Sequence, residues 1–152
     1  MGPDDFTWRS EWMNRHLPIA MAPPDELSDF RPMFEHYAAP YIEHLDIATR
    51  RIGAGDDAPP LTWDGGPIEM AFIDCGRTFE VNDAWYRILG PHFVPDRTLV
   101  VLQDWRTHEQ VPVRWFNQIK DFTDSLGSAF DLVHEVATGG VATFIFRGED
   151  LS

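Results

Sequence analysis

Apolar positions along the chain recur first at helical and then at strand spacing. Phe30, Met33, Phe34 and Tyr37 follow helical spacing, with Pro32 acceptable only in a first turn, and the segment stops before Pro40. Tyr41, Ile42, Leu45 and Ile47 alternate well enough for a strand, and Arg50 to Trp63, with Gly53, Gly55, Pro59 and Pro60, reads as a polar connection. The texture changes at Gly65-Gly66-Pro67. Ile68 to Ile73 is a nearly continuous apolar run ending in Asp74, the pattern of a strand covered on both faces. Thr78 is placed to cap a helix presenting Val81, Trp85, Ile88 and Leu89, and Gly90-Pro91 closes it by a left-handed glycine cap and a breaker. A second apolar run, Thr98 to Leu102, also ends in an acid, at Gln103-Asp104. Strand, helix and strand within about 35 residues predict a βαβ unit with parallel strands and a right-handed crossover.

A further helix is expected from near Pro112, showing Trp115 or Phe116, Ile119, Phe122 or Thr123, and Leu126 before Gly127. Then the period changes again. Phe130 to Val136 and Val141 to Phe146 are strand-like runs joined by Thr138-Gly139-Gly140, which predicts an antiparallel hairpin. Residues 1 to 24 show no clear periodicity and end in Ala22-Pro23-Pro24. The expected organisation is an irregular or helical N-terminal arm over residues 1–40 and an α/β domain over residues 41–152, without internal repeats.

Charge narrows the function classes. Twenty-five acidic against 12 basic residues leave a net charge of −13, and Lys120 is the only lysine. Nucleic acid and anionic membrane surfaces, which need clustered Lys and Arg, are excluded as expected partners. With 43% hydrophobic residues the chain has material for one compact core. The single cysteine, Cys75, rules out an internal disulfide or a multi-cysteine metal site. The N-terminus lacks the basic and apolar regions of a secretory signal, and no stretch nears the roughly 20 apolar residues of a membrane helix. A cytoplasmic protein is the expectation.

Ligands of open α/β sheets bind at the carboxyl ends of the strands. Asp74 and Asp104 both belong at that edge, and as neighbours they would suit one hard cation such as Mg²⁺ or Mn²⁺. Each is equally suited to capping the turn that follows it. His108, four residues past Asp104, is the candidate general base, histidine being the side-chain type whose ordinary pKa lies near neutrality. His16, His36, His44, His92 and His134 share no metal-site spacing. Cys75 reads as a small buried thiol, with Arg77 and Thr78 as the features that would activate it. Trp85, Trp115, Phe116 and Phe122 read as core.

Several segments together carry a likeness: W-D-G-G-P-I-E-M-A-F-I-D (63 to 74), the helix with Trp85, H-F-V-P-D-R-T-L-V-V-L-Q-D-W (92 to 105), P-V-R-W-F-N-Q-I-K (112 to 120) and G-V-A-T-F-I-F (140 to 146). In order and spacing, Trp63 to Phe146 resembles the C-terminal half of class I S-adenosylmethionine-dependent methyltransferases, and more narrowly the macrocin O-methyltransferase-like small-molecule enzymes. The resemblance implies a Rossmann-like sheet, partly parallel with a C-terminal antiparallel hairpin, and methyl transfer to the hydroxyl of a small-molecule acceptor. It implies S-adenosylmethionine as cofactor, with Asp46, at the end of a third strand Tyr41 to Ile47, and Asp74 on the cofactor side. It further implies a divalent metal such as Mg²⁺ on Asp74 and Asp104, holding the acceptor hydroxyl, with His108 assisting its deprotonation.

This sequence departs from the family at its front. The strand, glycine-rich turn, helix and second acid-ended strand that open the family's fold have no counterpart in residues 1 to 40. Gly53-Ala54-Gly55 lies in a polar segment without a preceding strand, and Trp105 stands where metal-binding members often carry an acid or polar residue. The expectation is therefore a domain truncated at the N-terminus whose fourth-strand segment, Ile68 to Ile73, becomes an edge, a fragment completed by another chain, or a rearranged fold in which the third-strand segment closes the gap. Two kinds of partner would cover that edge: a second copy or a complementing chain. A non-catalytic, protein-binding remnant of the family is the alternative function.

Overall fold

The computed structural model describes residues 29, 31–48, 50–52, 59–106, 109, 118–136 and 140–148. The chain divides into two units, Met1–Thr49 and Arg50–Ser152.

In the first unit, helix α1 spans Arg31–Ala38. Asp29 accepts the Arg31 backbone N–H at 2.8 Å, Pro32 lies in the first turn as its missing N–H requires, and Arg31 pairs with Glu35 one turn on at 2.8 Å. The strand expected from Tyr41 to Ile47 does not form. Ala39–His44 is a 3-10 helix with Pro40 in its first turn, and Leu45 to Ala48 carries no sheet pairing. Proline fixes φ in the helical range and gives up a ladder donor, and alternating apolar residues become a strand only beside a sheet that takes them. Tyr41 is 65% exposed.

The second unit is a four-stranded mixed sheet with helices, an α/β arrangement. In chain order it comprises β1 (Met70–Ile73), α2 (Phe79–Leu89), β2 (Leu99–Gln103), α3 (Gln118–Ser125), β3 (Phe130–Glu135) and β4 (Val141–Phe146). The strand order is β1-β2-β4-β3. β1 and β2 run parallel, in the register Ala71 with Val100 and Ile73 with Leu102, as the βαβ pattern predicts. β4 is antiparallel to β2 and to β3, so the terminal hairpin adds to the sheet through its last strand. A register shift between Leu132 and His134 bends β3.

One sheet face carries the core. By register Ala71, Val100 and Phe144 stand in one row, and Ile73, Leu102 and Ala142 in the next. These residues belong to the same buried cluster as Trp85 and Tyr86 of α2 and Ile119 and Phe122 of α3. Trp85 and Phe122 meet edge to face with ring centroids 5.6 Å apart. The opposite face of β1 is open: Met70 and Phe72 are 61% and 57% exposed. The expectation that this run is covered on both faces is therefore corrected. Among the described residues β1 is the outer strand and buries only alternate side chains.

Two details position the loops. Thr78 caps α2 as its sequence predicts, its Oγ1 accepting the Val81 N–H at 3.3 Å. The buried face of that helix is Asn82, Trp85 and Tyr86, one position round from the expected stripe, because Asn82 is tied to the loop before it. Gly90 takes φ −53 rather than a left-handed cap, and the chain continues into a 3-10 turn, Gly90–His92. Glycine is required there by contact: a Cβ would lie 2.7 Å from the Tyr86 ring. The start of the last helix near Pro112, with Trp115 and Phe116, lies outside the described residues. No helix among the described residues is long and apolar enough to cross a membrane.

Candidate functional site

The carboxyl ends of β1 and β2 open onto a common rim. Ile73 pairs with Leu102, so Asp74 stands level with Gln103 and Asp104 is the next residue along. Asp74 is exposed and begins the loop 74–78 into α2. That loop is tightly determined. Asn82, fully buried, donates from Nδ2 to the Gly76 carbonyl at 2.7 Å and the Thr78 carbonyl at 2.9 Å, while its Oδ1 accepts the Trp85 indole N–H at 2.9 Å. A Cβ on Gly76 would sit 2.1 Å from Asn82 Oδ1, so only glycine passes there. The Arg77 N–H closes back on the Cys75 carbonyl at 2.8 Å. Cys75 is half-buried against the core cluster rather than fully enclosed.

Asp104 leaves β2 in the left-handed conformation, φ +61. Aspartate tolerates this better than most residues, and such backbone is held only when its surroundings fix it. Here its N–H donates to the Gly140 carbonyl at 2.8 Å, joining the end of β2 to the start of β4, and its Oδ2 meets Arg77 Nε at 3.3 Å. A second ion pair lies at the same edge, where β3 also ends: Arg106 Nη2 donates to Glu135 Oε2 at 2.9 Å. The rim thus holds Asp74, Asp104 and Glu135 together with Arg77 and Arg106. The two arginines, three residues past Asp74 and two past Asp104, are the residues that spacing alone did not single out for binding.

The metal expected on Asp74 and Asp104 does not fit this arrangement. Asp104's carboxylate is engaged by a guanidinium, and no group of three His, Cys, Asp or Glu side chains suited to a metal ion occurs among the described residues. Of the two residues expected on the cofactor side, Asp74 is exposed at the carboxyl end of β1. Asp46 is exposed in the extended segment after the 3-10 helix of the first unit, not at a strand end. His108 and Gly53-Ala54-Gly55 lie outside the described residues.

Next to Asp104, Trp105 forms one wall of a concavity of about 440 Å³, with Phe130, Leu132 and Phe144 as its apolar lining and Thr123 and Asp124 at its border. The size is that of a small-molecule pocket. Trp105 is 8% exposed, packs edge to face on Phe144 with centroids 5.1 Å apart, and its indole N–H has no hydrogen-bond partner among the described residues. Nothing in the sequence marks this concavity, since its walls come from the turn after β2, from α3, β3 and β4, and meet only on folding. Comparison with protein-family models, with curated proteins and with solved structures gives no match to this chain.

Proposed function

We propose that the chain is a class I S-adenosylmethionine-dependent methyltransferase type of domain, directed at the hydroxyl of a small-molecule acceptor. The observation that carries this reading is the parallel pairing of β1 and β2, which delivers Asp74 and Asp104 to one rim in the order the resemblance implies. Two further features support it. Asp96, in V-P-D-R where relatives often carry a Pro-Gly turn, takes φ +61, the conformation glycine favours. The hairpin of β3 and β4 closes the sheet as the likeness of G-V-A-T-F-I-F implies.

The cofactor supplies an electrophilic methyl group on a sulfonium. The chain's own part in this reading is to present Asp74 on the cofactor side, to seat the acceptor's apolar body against Trp105, and to take the hydroxyl proton on His108. Calorimetric titration with S-adenosylhomocysteine tests it. A saturable heat that Asp74→Asn removes is expected; the absence of heat at high protein concentration contradicts the proposal for this chain.

A second reading is favoured by one observation, the open flank of β1. An outer strand with Met70 and Phe72 exposed is a template for strand addition by a second copy or a complementing chain. In that reading the domain is a non-catalytic binding module. Light scattering on eluted protein separates the two: a concentration-dependent dimer that Phe72→Lys abolishes supports strand addition, and a monomer at all concentrations counts against a second copy as the partner.

A further inference from the structure

We infer that Arg77 occupies the place of a divalent cation at this rim, so that the chain's acid pair is neutralised from within and excludes Mg²⁺ while Arg77 is present. The inference concerns the rim proposed above but does not depend on cofactor binding.

It begins with the charge balance. Parallel pairing brings the ends of two acid-terminated strands side by side, and like charges held at one edge raise the free energy of the fold unless a cation answers them. A metal ion is one answer. The other is a side chain on the loop between them, and Arg77 has that position: three residues past Asp74 and with its Nε 3.3 Å from Asp104 Oδ2. Its placement is not left to a floppy loop. Thr78 caps α2, Asn82 clamps the Gly76 and Thr78 carbonyls, and the Arg77 N–H bonds the Cys75 carbonyl, so the backbone that launches the guanidinium is fixed on both sides.

The acceptor of the ion pair is fixed as well. Asp104 is held by its left-handed backbone and its bond to Gly140. The guanidinium takes up Oδ2 and, being positive, repels a divalent ion from the rest of the same carboxylate. Glu135, the remaining acid of the rim, is paired with Arg106 and is not offered as a substitute ligand. Each strand-end acid for which a partner is resolved therefore has an arginine where a metalloenzyme would have its ion.

The experiment uses the whole chain, with Mn²⁺ as probe and its free-ion paramagnetic resonance signal as readout, so no turnover is required. The wild-type chain is expected to show no saturable Mn²⁺ binding at the rim. Arg77→Gln is expected to raise Mn²⁺ affinity by about tenfold or more, the factor for removing one like charge about 6 Å from a divalent ion at water's dielectric. Arg77→Lys, which keeps the charge, stays like wild type, and adding Asp104→Asn to Arg77→Gln removes the gain; asparagine retains tolerance of the left-handed backbone. Thermal melts confirm that each variant is folded. The inference is overturned if wild type binds Mn²⁺ with an affinity that Asp104→Asn lowers, or if Arg77→Gln gains nothing over wild type. Failure of S-adenosylhomocysteine to bind would leave these outcomes unchanged, so the two proposals fail separately.

Discussion

Asn82 holds more of the rim together than any acid in it. It is 0% exposed and serves three hydrogen bonds, two to the carbonyls of the loop after β1 and one from Trp85. Asn82→Leu leaves these partners buried and unmatched, and a loss of about 2 to 4 kcal/mol is expected in urea unfolding. Gly76→Ala drives its methyl into Asn82 and is expected to lower stability by about 1 to 3 kcal/mol by the same measurement. On the surface, Arg147 donates to Asp96 at 2.7 Å and Asp131 at 2.8 Å. Its hydrogen bond to Asp96, then that to Asp131, hold its pKa above an already strongly basic ordinary value. A group whose folded value is raised stabilises fully below its unfolded value and loses that effect only as pH rises through the folded one. Arg147→Met should therefore cost the same thermal stability at about pH 6 and about pH 9, and less in about 1 M salt. A deficit that grew between those two pH values would contradict this reading of the pair.

Local signals located elements well where backbone chemistry decided them. Thr78 as cap, the βαβ period and the glycine-linked hairpin were legible because each rests on neighbours in sequence. Thr78→Ala is expected to cost about 1 kcal/mol of unfolding free energy, and a loss indistinguishable from zero would show that the cap is redundant with the Asn82 clamp. Two features were not legible. The segment Tyr41 to Ile47 has strand-like alternation, yet Pro40 opens a 3-10 turn and no sheet pairs with it. Ile68 to Ile73 reads as a doubly covered strand, yet coverage depends on what lies beside it, and only Ala71 and Ile73 of β1 face the helices. The strand ends that carry Asp74 and Asp104 were legible, whereas the reach of Arg77 to Asp104 was not, because it depends on the left-handed turn and the loop clamp together.

Across the whole second unit, one well-filled face and one open face coexist. Trp85 and Phe122, 1% and 2% exposed, anchor the filled side, and Phe122→Ala is expected to cost about 3 to 5 kcal/mol by cavity formation. On the open side a net charge of −13 opposes self-association of an apolar edge, so any pairing through Met70 and Phe72 should strengthen with salt as that repulsion is screened. The meeting of Asp74, Asp104 and Arg77 at one rim depends on β1 lying parallel to β2. The most direct measurement is the set of nuclear Overhauser contacts between the backbone protons of these two strands. Cross-peaks tying Ala71 to the neighbours of Val100, and Ile73 to those of Leu102, are predicted. Contacts running the opposite way, joining Met70 to Leu102 and Ile73 to Leu99, would put Asp74 and Asp104 at opposite ends of the sheet and contradict the site.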